Sequence, residues 1–256
     1  MKIASFNVNS IRARLSIVID WLIKESPDVL CLQELKCQDR DVPYKAFQEI
    51  NYSMAFKGEK SYNGVAILSR IPLDNVGTGF DKKETYGSRL ITATVHNIPI
   101  INSYVPQGFD PDSEKFVEKL DWFKRLHTFL KKNYDPGKPL LWLGDFNVAP
   151  EPADVYDPGK LYGHVGYHPD EHAAVKQIMD WGFVDVFRKH KPGPGHYTFW
   201  DYRIKNSVKR NLGWRIDHIW ATKPLARKSI DIWIDMEPRL REKPSDHTPI
   251  VAEFEV

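Results

Sequence analysis

The chain alternates short apolar runs with longer stretches in which apolar residues recur every three or four positions. Ile11, Leu15, Val18 and Leu22 keep helical spacing, Ser10 stands at the capping position and Pro27 lies just past the end, so an amphipathic helix is predicted. Glu114 to Lys132 repeats the pattern with Phe116, Leu120, Phe123 and Leu130 on one stripe. A third helix is read from about Glu171 to Trp181, stopped by Gly182. The strand-like KIASFNV follows Met1, and DVLCLQE follows the first helix. Then come GVAILSR (64–70), RLITATV (89–95), IPIINSYV (98–105) and PLLWLG (139–144), short runs bounded by turn residues. RIDHIWA (215–221), SIDIWI (229–234) and TPIVAEFEV (248–256) extend the series. Strands alternating irregularly with a few long helices predict sheets packed face to face with helices outside. No linker, charge block or repeat divides the chain, so a single domain over 1–256 is expected. Loops 106–113 and 149–170, long and rich in Pro and Gly, stand out as functional segments.

Composition narrows the class. At 42% hydrophobic and 27% charged, 256 residues can bury a full core, which excludes a disordered chain. A formal charge of +2 permits a polyanionic partner without demanding one. Cys31 and Cys37 have neither metal-ligand nor redox-motif spacing and read as reduced thiols of a cytosolic protein. The early strand leaves no room for a secretory signal, and no apolar run reaches the roughly eighteen residues a membrane span needs. The expectation is a cytoplasmic protein with no membrane partner.

Polar residues gather at strand ends. Asn7 and Asn9 follow ASF, Gln33 and Glu34 follow VLCL, Tyr104 ends INSY, and Asp145 and Asn147 follow LWLG. Asp217 sits within WRIDHI, and Asp246 and His247 precede TPIVA. Each alone has a plainer reading. GDxN is more often a turn with Asx hydrogen bonds, Glu34 could be a solvated charge, and Asp217 could serve a neighbouring backbone group or Arg215. Together they fit a composite site on a rigid scaffold. Their oxygens suit a hard cation such as Mg²⁺. His164, His168 and His172 are interrupted by Pro169, would not share a helix face and are set aside as a zinc site.

The motifs NVNSIR (7–12), LQE (32–34), NGVAILSR (63–70), SYVPQG (103–108), GDFNVAP (144–150), YTFWDYR (197–203), GWRIDHI (213–219) and SDHTPI (245–250) carry a resemblance. In order and spacing they resemble the exonuclease III family of apurinic/apyrimidinic endonucleases, within the DNase I-like endonuclease/exonuclease/phosphatase superfamily. The resemblance implies an α/β fold: a four-layered αββα sandwich, two mixed sheets flanked by helices, with the site at one edge. It implies hydrolysis of the phosphodiester 5′ to an abasic site in double-stranded DNA, leaving a 3′-hydroxyl and a 5′-deoxyribose phosphate. It also implies 3′–5′ exonuclease and 3′-repair activities, a monomer, and localisation with the nucleoid through DNA.

By the same resemblance Asp145 orients and deprotonates the attacking water, and Asn147 holds water or phosphate. Glu34 is the principal Mg²⁺ ligand, with Asn7, Asn9 and Asp246 near the metal or phosphate and Mn²⁺ able to substitute. Some relatives carry Asp where this chain has Asn9, and the missing charge favours one ion over two. Asp217 orients His247 and favours its imidazolium, while Tyr104 binds phosphate. Phe199, Trp214 and Ile216 wall an apolar pocket that takes a baseless sugar swung out of the helix. Gln107 reaches toward the DNA, and Phe109 is a candidate wedge. Arg203, Lys205 and Arg215, lying among aromatic residues with Tyr202, Lys209 and Arg210, are candidate phosphate contacts. Arg12 and Arg14 are weighed as phosphate contacts against a solvated helix face. Inositol-polyphosphate phosphatases and sphingomyelinases share the Glu, Asp/Asn and Asp-His positions, but a soluble head group needs a basic pocket and not an apolar one. A DNA-binding protein without catalysis is disfavoured, because no catalytic position is substituted.

Overall fold

The computed structural model describes residues 1–81, 83 and 86–256. Among these, twelve strands form two six-stranded sheets. The first is built from β1 (Lys2–Asn7), β2 (Val29–Gln33), β3 (Ser53–Lys57), β4 (Val65–Ser69), β11 (Ser229–Ile234) and β12 (Ile250–Phe254), in the order β11-β12-β1-β2-β4-β3. The second has β5 (Asp74–Thr78), β6 (Leu90–Val95), β7 (Ile98–Tyr104), β8 (Leu141–Asp145), β9 (Phe183–Asp185) and β10 (Asp217–Thr222), in the order β5-β6-β7-β8-β10-β9. Both are mixed: β1 pairs with β2, and β7 with β8, in parallel, while the remaining pairs are antiparallel.

Side-chain alternation along the strands sorts the apolar residues into layers. Ile3, Val29, Cys31, Val65 and Ile67 of the first sheet meet Ile91, Ile100, Leu141, Leu143 and Ile219 of the second in a buried central core. The intervening Ala4, Phe6, Leu30 and Leu32 face outward and pack on Trp21 and Leu22 of α1 (Ile11–Glu25) and Phe47 of α2 (Tyr44–Gln48). On the other side Ile101, Trp142 and Trp220 pack on α3 (Glu114–Asn133) and, beyond the short α4 (Pro158–Leu161), on α5 (Pro169–Gly182). The result is the αββα sandwich. Trp21, Trp122, Trp142 and Trp220 are fully buried, and each large apolar side chain so buried contributes about 1.5–3 kcal/mol relative to exposure. Short α6 (Val186–His190) and α7 (Lys223–Ala226) close the β9–β10 end. Both cysteines are free and buried, and no helix among the described residues is long and apolar enough to cross a membrane.

Helix ends differ from the sequence reading in two places. Ser10 makes no side-chain cap; at φ 89° its N–H instead donates to the Glu34 carbonyl at 2.8 Å, joining the start of α1 to the end of β2. The helix over 169–182 begins two residues before Glu171, because His168 caps it, Pro169 occupies the first turn and the Glu171 carboxylate accepts the His168 N–H.

Candidate active site

The inward-facing residues of five strands change character in the same direction. On β1 they run Ile3, Ser5, Asn7; on β2 Val29, Cys31, Gln33; on β7 Ile98, Ile100, Asn102, Tyr104; on β8 Leu141, Leu143, Asp145. Antiparallel β10 reads Ala221, Ile219, Asp217 toward the same edge. Register aligns the polar ends, since Asn7 pairs with Gln33, and Asp145 with both Tyr104 and Asp217. A buried bridge of Gln33 Nε2 to Asn102 Oδ1, 2.7 Å, separates apolar core from polar edge. The site is where the space between the sheets opens.

Asp145 is 1% exposed. Its Oδ1 accepts the Asn147 N–H at 2.8 Å, so GDFN is an Asx turn as well as a cluster member, and its Oδ2 accepts from Asn7 Nδ2 at 2.8 Å. The other Asn7 contact donates to Glu34 Oε1 at 2.8 Å, while Asn7 Oδ1 accepts the Asn9 N–H. Asn7 therefore stands behind the two carboxylates and ties them together. His247 Nδ1 lies 2.7 Å from Asp217 Oδ2, and its Nε2 lies 3.8 Å from Asp145 Oδ2. Glu34, Asp145 and His247 converge within 4.8 Å.

Burial pushes Asp145 up to about 7, with Asp217 and Glu34 adding to the rise and His247 and Asn7 opposing it. Burial alone would lower His247, but Asp217 and then Asp145 hold its pKa up at about 10, so the imidazole is protonated. A proton on both nitrogens removes His247 as a cation ligand. Glu34 is held below its ordinary value, because Lys36 and Asn7 outweigh its burial. Burial, Glu34 and Asp145 raise Tyr104 well above the usual phenol range, leaving a neutral O–H donor.

At the rim, Asn9 Nδ2 donates to Asp246 Oδ1 at 2.9 Å. Lys36 Nζ lies 2.6 Å from both Glu34 Oε2 and Asn9 Oδ1, a contact not foreseen in the sequence. This ammonium pairs with the Glu34 carboxylate and the Asn9 amide oxygen. An all-oxygen set with a half-buried carboxylate fits a hard divalent ion. Asn9, Ser10, Glu34, Lys36, Phe109 and Asn147 all have positive φ, and such conformations in non-glycine residues cluster at functional sites.

Glu34, Tyr104, Asn147, Asp246 and His247 line a cavity of about 570 Å³ together with Gln107, Phe109, Arg203, Phe199, Trp214 and Ile216. Phe199 pairs with both Trp214 and His247, and its ring lies 4.9 Å from the imidazole, so the apolar wall is built directly onto the polar cluster. Leu161, His164 and Val165 close the cavity from the 149–170 loop; the length and Pro/Gly content of that loop are their signal in the sequence, where His164 otherwise reads only as part of the interrupted histidine set. Phe109 is 72% exposed, its N–H held by Gln107 Oε1 at 2.7 Å. Arg203 and Lys205 are exposed, with Arg203 forked onto Asp201. Arg12 is exposed, whereas Arg14 braces the site by donating to the Asn9 and Pro244 carbonyls.

Arg215 is a correction. It is fully buried, with Nε 2.7 Å from Asp154 Oδ1 and Nη2 2.7 Å from Asp185 Oδ2, so it cannot contact DNA. One residue of parity separates it from Trp214 and Ile216 and sends it to the opposite side of the chain. Burial, then the charge of Arg215, lowers the adjacent His218 to about 4. The neutral imidazole accepts from Arg215 at Nδ1 and donates from Nε2 to the Val148 carbonyl, 2.9 Å away.

Residues 4–247 match the model of the Endonuclease/Exonuclease/phosphatase family. The chain is 35% identical to exodeoxyribonuclease III of Haemophilus influenzae, with 99% of this chain and 100% of the relative covered. Among solved structures, an AP endonuclease from Archaeoglobus fulgidus superposes with a TM-score of 0.97 at 49% identity, each chain covered to 100%. A Neisseria 3′ phosphatase bound to a product DNA hairpin superposes with a TM-score of 0.95 at 38% identity, again with both chains covered to 100%. Fold, site and relatives agree: the chain belongs to the endonuclease/exonuclease/phosphatase family, in its exonuclease III branch.

Proposed function

We propose that the protein is a DNA-repair nuclease that hydrolyses the phosphodiester 5′ to abasic sites in duplex DNA, leaving a 3′-hydroxyl and a 5′-deoxyribose phosphate, and that it also acts on 3′ ends as an exonuclease and phosphatase. The observation that carries this reading is the shared cavity, in which an apolar wall of Phe199, Trp214 and Ile216 adjoins Glu34, Asp246 and His247. A baseless sugar fits beside such a wall while its phosphate meets the polar cluster. The activities named for the H. influenzae, A. fulgidus and Neisseria relatives support the same chemistry. In this reading the 256 residues act as one catalytic domain, a cytoplasmic monomer that associates with the nucleoid through DNA.

Hydrolysis divides among the side chains as follows. Asp145 orients the water and takes its proton as the water oxygen bonds to phosphorus and the P–O3′ bond breaks, the departing 3′-oxygen taking a proton from solvent, and its raised pKa sets the base near neutrality. Asn147 adds a neutral amide beside that base without the repulsion a second carboxylate would bring. His247, charged and fixed by Asp217, donates from Nε2 to a phosphoryl oxygen, and Tyr104 donates its phenol proton to another as a hydrogen bond without releasing it. Glu34, with Asp246 and Asn9 and oriented by Asn7, would hold one Mg²⁺, for which Mn²⁺ could substitute. When bound, the ion neutralises charge developing on the phosphoryl group. Gln107, Phe109, Arg203 and Lys205 meet the flanking DNA.

A labelled duplex with a central abasic analogue tests the reading. Incision on its 5′ side that requires Mg²⁺, yields a 3′-hydroxyl and disappears in Glu34→Ala is expected. Cleavage that is unaffected by Glu34→Ala, or that survives chelation, would overturn it.

A further inference from the structure

The buried face of α3 is apolar at Phe116, Phe123, Leu126 and Leu130, yet Lys119 occupies a position on that stripe and is fully buried. Its ammonium pairs with Glu171 of α5, which is also fully buried. Replacing such a pair by apolar side chains is often neutral or stabilising, because two charges lose their hydration. Packing of α3 on α5 therefore does not account for it. The hydrogen bonds do. Lys119 Nζ donates to the Gln107 carbonyl at 3.1 Å and to the Asn147 carbonyl at 2.7 Å. Glu171 Oε2 accepts the Gly166 N–H at 2.7 Å and the His168 N–H at 3.1 Å.

Three loops around the cavity thus meet at one ion pair. Asn147 has φ 50°, a left-handed turn that brings its carbonyl to the ammonium, while its side-chain amide donates to the Val105 carbonyl at 2.9 Å. Gly108, at φ 94°, packs so closely that an added Cβ would lie 3.1 Å from both Lys119 Cδ and Val165 Cγ2. A Cβ on Gly166 would meet the Trp214 ring at 3.3 Å, so the amide held by Glu171 backs the apolar wall. We infer that Lys119 and Glu171 are positioning residues, a buried strut that sets Asn147, the Gln107 loop and the Gly166–Trp214 wall in register for the reaction. The inference deepens the proposed function and rests on its placement of the Asn147 amide beside the base Asp145.

The test is the double variant Lys119→Met with Glu171→Gln, which removes both charges and so leaves no unpaired ion to unfold the protein. Its unfolding midpoint is expected close to wild type. Per folded molecule, kcat on abasic duplex is expected to fall by roughly tenfold or more while KM moves much less, because a small displacement beside the reacting phosphate costs that much. A folded double variant with wild-type kcat and KM would overturn the inference. Should the double variant not fold, the wild type still decides through the ¹⁵N signal of the Lys119 ammonium. Slow hydrogen exchange supports a closed strut, and exchange as fast as that of an exposed lysine refutes it. A wild type that cuts no abasic duplex would instead count against the functional assignment, and the exchange measurement would read the strut independently.

Discussion

Asp145 shows folding and chemistry pulling against each other within one residue. The proposed mechanism needs it as a base, but burial raises its pKa to about 7, so its charged form is disfavoured in the native state. A carboxyl whose folded pKa lies above its unfolded value, about 4, contributes stability that is full below the unfolded value and lost as pH rises through the folded one. With divalent ions chelated, Asp145→Asn is therefore expected to inactivate the enzyme yet raise the unfolding free energy at pH 8, by on the order of 1–2 kcal/mol. The advantage should shrink as pH is lowered toward 4, and melting curves across that range check the sign. Tyr104 behaves differently, because its raised pKa keeps the phenol protonated. Tyr104→Phe is expected to lower kcat by roughly ten- to a hundredfold through one lost donor. The shape of the pH–rate profile below pH 9 should not change; a lost limb in that profile would mean the phenol transfers its proton after all.

At the scale of elements, β8 delivers Asp145 by way of Gly144. This residue has φ 136°, and a Cβ there would collide with the Ser103 carbonyl on the parallel strand β7. Gly144→Ala is expected to cost about 2–4 kcal/mol by parting the strands that carry Tyr104 and Asp145, which denaturant unfolding would measure. The two arginines read alike in the sequence should separate cleanly. Arg215→Met removes the guanidinium that bridges the buried Asp154 and Asp185 and is expected to destabilise by roughly 3–5 kcal/mol. Arg203→Ala is expected to leave the unfolding midpoint unchanged and to reduce the salt dependence of DNA affinity by about one unit of slope. Equal effects of the two variants on that slope would contradict the assignment. Periodicity made α1, α3 and the central strands legible, because each buries one regular apolar face. It could not reveal β5, the exposed edge strand DNVGT, or three-residue β9, which have too little apolar alternation to register. The polar residues that meet at the sheet edge were legible as strand ends, whereas the Lys36–Glu34 contact, the Lys119–Glu171 pair and the side of the chain taken by Arg215 depend on packing between distant segments.

For the whole molecule, a net charge of only +2 means that DNA is not drawn in by charge alone. Glu34, Asp145, Asp217 and Asp246 are concentrated at the very edge where a polyanion must bind. A divalent ion reconciles the two. Adding Mg²⁺ to chelated protein is therefore expected to raise the unfolding midpoint of wild type, by linkage, and not that of Glu34→Ala. A rise in both would place the ion elsewhere. The central proposal is that one cavity joins a phosphodiester-cleaving cluster to an apolar wall that selects the lesion. The most direct measurement is kcat/KM for a duplex with one abasic site and for its undamaged twin, with wild type and Trp214→Ala side by side. The account predicts a wild-type preference for the abasic duplex of roughly a hundredfold or more, reduced about tenfold in the variant chiefly through slower incision at the lesion. Equal cleavage of both duplexes by wild type, or a preference that Trp214→Ala leaves intact, would contradict it.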